Sequence, residues 1–173
     1  MGLIDKVKKP NLLDGKRYAY IMGKCKEFYE LGMTAVDVGT SDGAFAIGLK
    51  KIGYKVTTIG LNECEISKSH YTIDIQKEKI DKKFDLILFC EIAEHLKFPD
   101  KGLNNTLLMA KNNSLVFVSV PNFMCKAHLR TYSMAGLLSY VDKKIKIKGK
   151  TTFTKKYKGK PKSEQYLIYG TKI

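Results

Sequence analysis

Tryptophan is absent from the 173 residues, arginine occurs only twice, at Arg17 and Arg130, and proline only four times. So little proline, with glycine in no fixed period, excludes collagen-like and proline-rich disordered chains. No apolar run approaches the ~20 residues that cross a bilayer. The N-terminus, Met1 to Pro10, also lacks the apolar stretch of a signal peptide, so a cytoplasmic protein is expected. The four cysteines, Cys25, Cys64, Cys90 and Cys125, contain no C-x-x-C pair. That spacing argues against a zinc ribbon or disulfide scaffold and fits reduced thiols. Acids are scarce: 17 Asp and Glu face 31 Lys and Arg, a formal charge of +14. The excess is partly local, with ten lysines and no acid from Lys143 to Lys162. Such a tract reads either as an RNA- or phosphate-facing surface or as generic solvating charge. The arginine shortage weighs against a specific nucleic-acid reader, which favours the planar guanidinium fork.

What is present is an ordinary globular composition, 44% hydrophobic and 28% charged. The length fits one domain with its own core. Helical spacing of Leu12, Leu13, Tyr18, Ile21, Met22, Cys25, Phe28 and Leu31 predicts a helix over 12–31, stopped by Gly32. Strands are predicted at 34–39, 55–59, 70–73, 84–90 and 114–120, where short apolar or β-branched runs end in turn residues. Helices are predicted at 43–52, at 100–111 and from a Ser133 cap to about Val141. Two late strands near 144–149 and 165–172 lack a helix between them and should pair antiparallel, with the basic stretch as a surface connection. Strands alternating with helices imply an α/β fold, an open, mainly parallel sheet with helices on both faces. One domain over 1–173 is expected, with an N-terminal tail over 1–11.

Asp37-Val-Gly39-Thr40-Ser41-Asp42-Gly43 ends an apolar strand and opens a helix. Glycines there allow a tight turn and close backbone approach to a ligand. The segment resembles the first motif of class I S-adenosylmethionine-dependent methyltransferases, with Ser41 in place of the middle glycine. Asp74 after the third strand, Phe84 to Leu96 with its Glu91-x-x-Glu94-His95 end, and Val118-Ser-Val-Pro121-Asn122 resemble later family segments in order. The resemblance spans about residues 12–173. It implies a Rossmann-like, doubly wound sheet of seven strands with the last antiparallel. It also implies S-adenosylmethionine as cofactor and S-adenosylhomocysteine as product. The implied cofactor site is Asp37, Gly39, Thr40, Ser41, Gly43, Leu61, Asn62, Asp74, Ile75, Cys90 and Glu91. One departure stands out: Gly60 occupies the place of the family's ribose-binding acid, with Asn62 or Glu63 as nearby substitutes.

The family mechanism is direct displacement at the sulfonium methyl, with a base needed only for a protonated acceptor. His95 and Glu94, then His128, are the candidate catalytic residues; the bland alternative for Glu94 and His95 is capping and packing. The same pattern resembles small-RNA 3′-terminal ribose methyltransferases, where two Glu and two His hold a metal. Quinone-precursor O-methyltransferases also show it, so the pattern does not choose. No metal is the expectation; Glu91, Glu94, His95 and His128 are the set if one binds. His70 reads as incidental. The resemblance implies methyl transfer to an oxygen or nitrogen of a small-molecule acceptor. RNA methylation through the Lys143–Lys162 segment and a non-catalytic scaffold stay open as alternatives. A chain so near the bare core fold implies that a homodimer or partner subunit completes the acceptor side.

Overall fold

A computed structural model describes residues 12–157 and 160–173, with side chains over 15–155 and from 163 onward. The tail expected over 1–11 lies outside the described residues, as do the side chains of the basic segment beyond residue 155. In chain order the elements are α1 (Leu12–Phe28), β1 (Thr34–Val38), α2 (Ala44–Ile52), β2 (Lys55–Gly60), β3 (His70–Thr72), β4 (Phe84–Cys90), α3 (Pro99–Leu108), β5 (Ala110–Pro121), α4 (Met134–Val141), β6 (Ile145–Tyr157) and β7 (Lys160–Lys172).

The strands form one seven-stranded sheet in the order β3-β2-β1-β4-β5-β7-β6. Strands β1 to β5 pair parallel, and β7 runs antiparallel between β5 and β6. The central strands are apolar on both faces because both faces are covered. Successive residues of β4 point to opposite sides. Leu86 and Leu88 meet Ile21 and Cys25 of α1 and Ala46 and Leu49 of α2. Ile87 and Phe89 meet Leu103 and Leu107 of α3 and Leu137 and Val141 of α4. The helix expected from Ser133 is capped there: Ser133 Oγ accepts from the Gly136 amide at 3.0 Å.

Three local expectations are corrected. The first helix ends at Phe28 rather than 31, because Gly32 at φ +89° turns the chain and leaves Leu31 exposed. The fifth strand begins at Ala110, where a register shift opposite Phe84 and Leu86 admits extra residues. The basic stretch is not a connection between short strands. Residues 145–157 pair with 160–172 as a long antiparallel hairpin. Strand β6 lies at the sheet edge, and Lys146, Lys148, Lys150 and Lys155 are exposed along it. Lysines on an edge strand discourage pairing with another chain's strand.

Candidate active site

The carboxyl ends of β1, β2, β3 and β4 open onto one edge of the sheet, where the loops that follow them meet. In open α/β sheets this is where ligands bind. Two clefts lie there side by side. The first, about 340 Å³, is lined by Gly39, Thr40, Ser41, Gly60, Leu61, Asn62, Asp74, Ile75, Glu91 and His95, among others. The second, about 460 Å³, is lined by Arg17, Tyr18, Ser41, Phe45, Glu91, Glu94, His95, Phe123, His128, Lys155 and Gln165, among others. Ser41, Glu91 and His95 belong to both walls and mark where the clefts meet.

The glycine loop is fixed from beneath. Gly39 takes φ +79°, and a Cβ there would sit 2.8 Å from Ile92 Cδ1, so glycine keeps the cleft floor low. The Gly39 and Thr40 amides both donate to Ile59 O, at 2.8 and 3.1 Å, tying the loop to β2. Asp37 is buried and lines neither cleft. It accepts from Thr40 Oγ1 at 2.7 Å. Burial pushes its carboxyl up to about 7, against the opposing Thr40 hydrogen bond. Gly43, at φ +71°, lies outside both cleft walls and opens α2, where a Cβ would strike Ile66. Asp42 Oδ1 accepts from the Ala44 amide at 3.1 Å.

On the opposite wall, a Cβ at Gly60 would lie 3.3 Å from Thr40 O. His70, read as incidental from sequence, braces this wall. Its Nδ1 is 2.8 Å from Thr58 Oγ1 and its Nε2 is 2.9 Å from Asn62 O. Asp74 follows β3. Burial would raise its carboxyl, but hydrogen bonds from the Gln76 amide and side chain, with Lys77 nearby, hold it below its ordinary value. Cys90 lines neither cleft and packs against the α1–α2 core.

Glu91 stands at the junction with φ +54°, a left-handed conformation that non-glycine residues adopt mainly when held. It is held on three sides: Arg17 Nη1 at 2.6 Å, Ser119 Oγ at 2.9 Å and Gln165 Nε2 at 3.1 Å. Glu94 and His95 lie in a short 3-10 turn, Ala93–His95. Glu94 is 1% exposed, and burial together with the Glu91 charge pushes its carboxyl up to about 8. His95 Nδ1 lies 2.9 Å from Ala127 O, and His128 Nδ1 lies 2.9 Å from Phe123 O. The two imidazoles meet edge to face, with centroids 4.9 Å apart. Glu94, His95 and His128 thus converge, while Glu91, the fourth member of the sequence-derived set, stands outside that group.

Sequence reasoning missed Gln165, Ser119 and Lys155. They reach the site only through the pairing of β5, β7 and β6, which carries no local signal.

Residues 14–152 match the methyltransferase domain family, and the chain belongs to it. The ubiquinone biosynthesis O-methyltransferase of Coxiella burnetii strain Dugway 5J108-111 is 27% identical over 139 residues, covering 73% of this chain and 58% of that protein. The protein of the same name from Rickettsia bellii strain OSU 85-389 is 25% identical over 127 residues, covering 65% of this chain and 53% of that one. The chain therefore spans a little over half the length of these curated relatives. Its fold is similar to that of the N-methyltransferase NodS from Bradyrhizobium japonicum WM9 in complex with S-adenosylhomocysteine (TM-score 0.75, 13% identity, 98% of this chain and 96% of that one). It is also similar to that of magnesium protoporphyrin IX methyltransferase from Synechocystis PCC 6803 with bound S-adenosylhomocysteine (TM-score 0.74, 10% identity, 96% and 89%). No helix among the described residues is long and apolar enough to cross a membrane.

Proposed function

We propose that this chain is an S-adenosylmethionine-dependent methyltransferase acting on an oxygen or nitrogen of a small-molecule acceptor. One observation carries the reading: two clefts meet at Ser41, Glu91 and His95, one beside the glycine loop and one beneath α1. Family membership supports it, and the curated relatives' names favour an oxygen acceptor.

The first cleft fits the cofactor. A Cβ at Gly39 would intrude on the cleft floor, so the backbone is free to approach a ligand. Ile73, Ile75 and Leu96 offer an apolar wall for a flat base, and the Asp74 carboxylate offers an acceptor for an amino group. Leu61 and Asn62 close the ribose side, where Gly60 brings no acid. When bound, S-adenosylmethionine supplies an electrophilic methyl on a sulfonium. The chain itself supplies alignment and exclusion of water. Tyr18, Phe45 and Phe123 suit a flat acceptor, and the exposed Lys155 suits an acidic substituent on it. Glu94, His95 and His128 line the second cleft and are the candidates to take the proton of a protonated acceptor. The four cysteines are free thiols, which supports a reducing, cytoplasmic setting.

A second reading draws on the lysines exposed along β6, which lead to the acceptor cleft at Lys155. An RNA acceptor would follow that strand. The test is label transfer from methyl-tritiated S-adenosylmethionine to a panel of hydroxylated aromatic acids and amines, with RNA alongside. Label on a small acceptor is expected. Label on RNA alone would replace this reading with the second. Label on none, from folded protein that binds S-adenosylhomocysteine, would overturn both.

A further inference from the structure

We infer that a third cavity, adjoining the first cleft at Asp74 and Gln76, binds a phosphate-bearing small molecule, and that its occupancy is coupled to the first cleft. The cavity holds about 660 Å³, the size of a small-molecule site. Lys77, Lys97, Phe98, Lys101, Asn104 and Asn105 line it, and Asp74 is the one acid in its wall.

The cationic groups are set in place by the chain itself. Lys97 and Lys101 direct their ammoniums to one ring, that of Phe98, at 5.5 and 4.9 Å from its centroid. Neither pairs with a carboxylate among the described residues. Asp100, beside them in sequence, is taken by Lys144 at 2.8 Å. Each ammonium carries three N–H donors. Asn105 gives one N–H of its amide to Ile75 O at 2.8 Å and has a second to offer. A cleft lined by one sign of charge concentrates the opposite ion, and lysine serves phosphate as a point charge. Phe98 is 49% exposed and leaves apolar surface for an organic part of the ligand.

Hydrogen bonds link this cavity to the first cleft. Gln76 Oε1 accepts from the Phe98 amide at 2.8 Å, while its Nε2 donates to Asp74 Oδ1 at 3.1 Å. Asn105 holds the carbonyl of Ile75, which lines the first cleft. Lys77 Nζ lies 3.6 Å from Asp74 Oδ2. A phosphate that draws Lys77 away leaves the Asp74 carboxylate a stronger acceptor for an amino group in the first cleft. That coupling rests on the cofactor reading; the cavity and its ligand do not.

The test is calorimetry of pyrophosphate and of UDP with the full chain, with and without saturating S-adenosylhomocysteine. UDP is used instead of ADP, whose adenine would compete for the first cleft. One ligand per chain is expected, and tighter binding of UDP than of pyrophosphate would identify a nucleotide. Affinity should fall about tenfold or more in Lys97→Gln/Lys101→Gln. It should stay within about twofold of the parent in Lys146→Gln/Lys148→Gln, which removes the same charge from the exposed face of β6. Saturating pyrophosphate should tighten S-adenosylhomocysteine binding about threefold or more, with the reciprocal change in pyrophosphate affinity. No stoichiometric binding of either probe would overturn the inference. So would equal losses in the two double variants, which would mark a general attraction to a basic protein. Unchanged S-adenosylhomocysteine affinity would overturn the coupling. A folded chain that binds pyrophosphate and not S-adenosylhomocysteine would instead sink the cofactor reading and leave the site standing.

Discussion

Arg17 Nη1 lies 2.6 Å from Glu91 Oε1, joining α1 to the end of β4 across the boundary of the two clefts. Both groups are largely withdrawn from water, with side chains 9% and 21% exposed. Removing one partner of such a pair leaves a charge poorly compensated. Arg17→Met is therefore expected to cost about 3 kcal/mol in urea denaturation. The double variant Arg17→Met/Glu91→Gln should cost clearly less than the sum of its singles. Strictly additive losses would show that the pair contributes no coupling.

Asp37 gives a pH prediction. Burial raises its carboxyl from 3.8 to about 7, so the folded chain holds a proton that the unfolded chain has released. Stability from this group therefore falls as pH rises from about 4 to about 7 and stays low above that. Asp37→Asn removes the titration. The stability of the variant minus that of the parent should grow between pH 4 and pH 8 by a few kcal/mol, because each tenfold change in proton affinity is worth about 1.4 kcal/mol. A difference that does not change with pH would contradict the assignment.

His70 is a positioning residue. It links Thr58 to Asn62 O and so braces the wall that faces the glycine loop. His70→Ala is expected to weaken S-adenosylhomocysteine binding about tenfold, the size of one lost positioning contact (about 1.4 kcal/mol). His70→Gln should recover part of it through the amide. Unchanged affinity in His70→Ala would leave His70 a merely structural residue.

His95 borders both clefts and lies 3.7 Å from Glu94 through its Nε2. His95→Ala is expected to lower turnover by about 100-fold while cofactor affinity changes little. Equal losses in both would assign His95 to packing instead.

Much of this was legible in the chain itself. The alternation of strand and helix, the glycine turn after Val38 and the Glu91-x-x-Glu94-His95 end of β4 are local patterns, and local patterns survive in sequence. The length of β6 and β7 was not legible, because lysine at an exposed edge reads like lysine in a loop. Gln165 was silent for a different reason: its place beside Glu91 depends on β7 inserting between β5 and β6. His70 carried no pattern because its partners, Thr58 and Asn62, come from another strand and its loop. The convergence of Glu94, His95 and His128 was half legible: the three are close in the fold, while Arg17, Ser119 and Gln165 hold Glu91 apart from them.

The most direct measurement is calorimetry of S-adenosylhomocysteine with the full chain and with Gly39→Arg. Position 39 needs φ +79° and has no room for a side chain beside Ile92, so an arginine there must close the first cleft. Micromolar binding by the parent, lost in a Gly39→Arg variant that still unfolds cooperatively, is the predicted result. Absence of binding by the folded parent, or equal binding by both, would contradict the placement of the cofactor at the glycine loop.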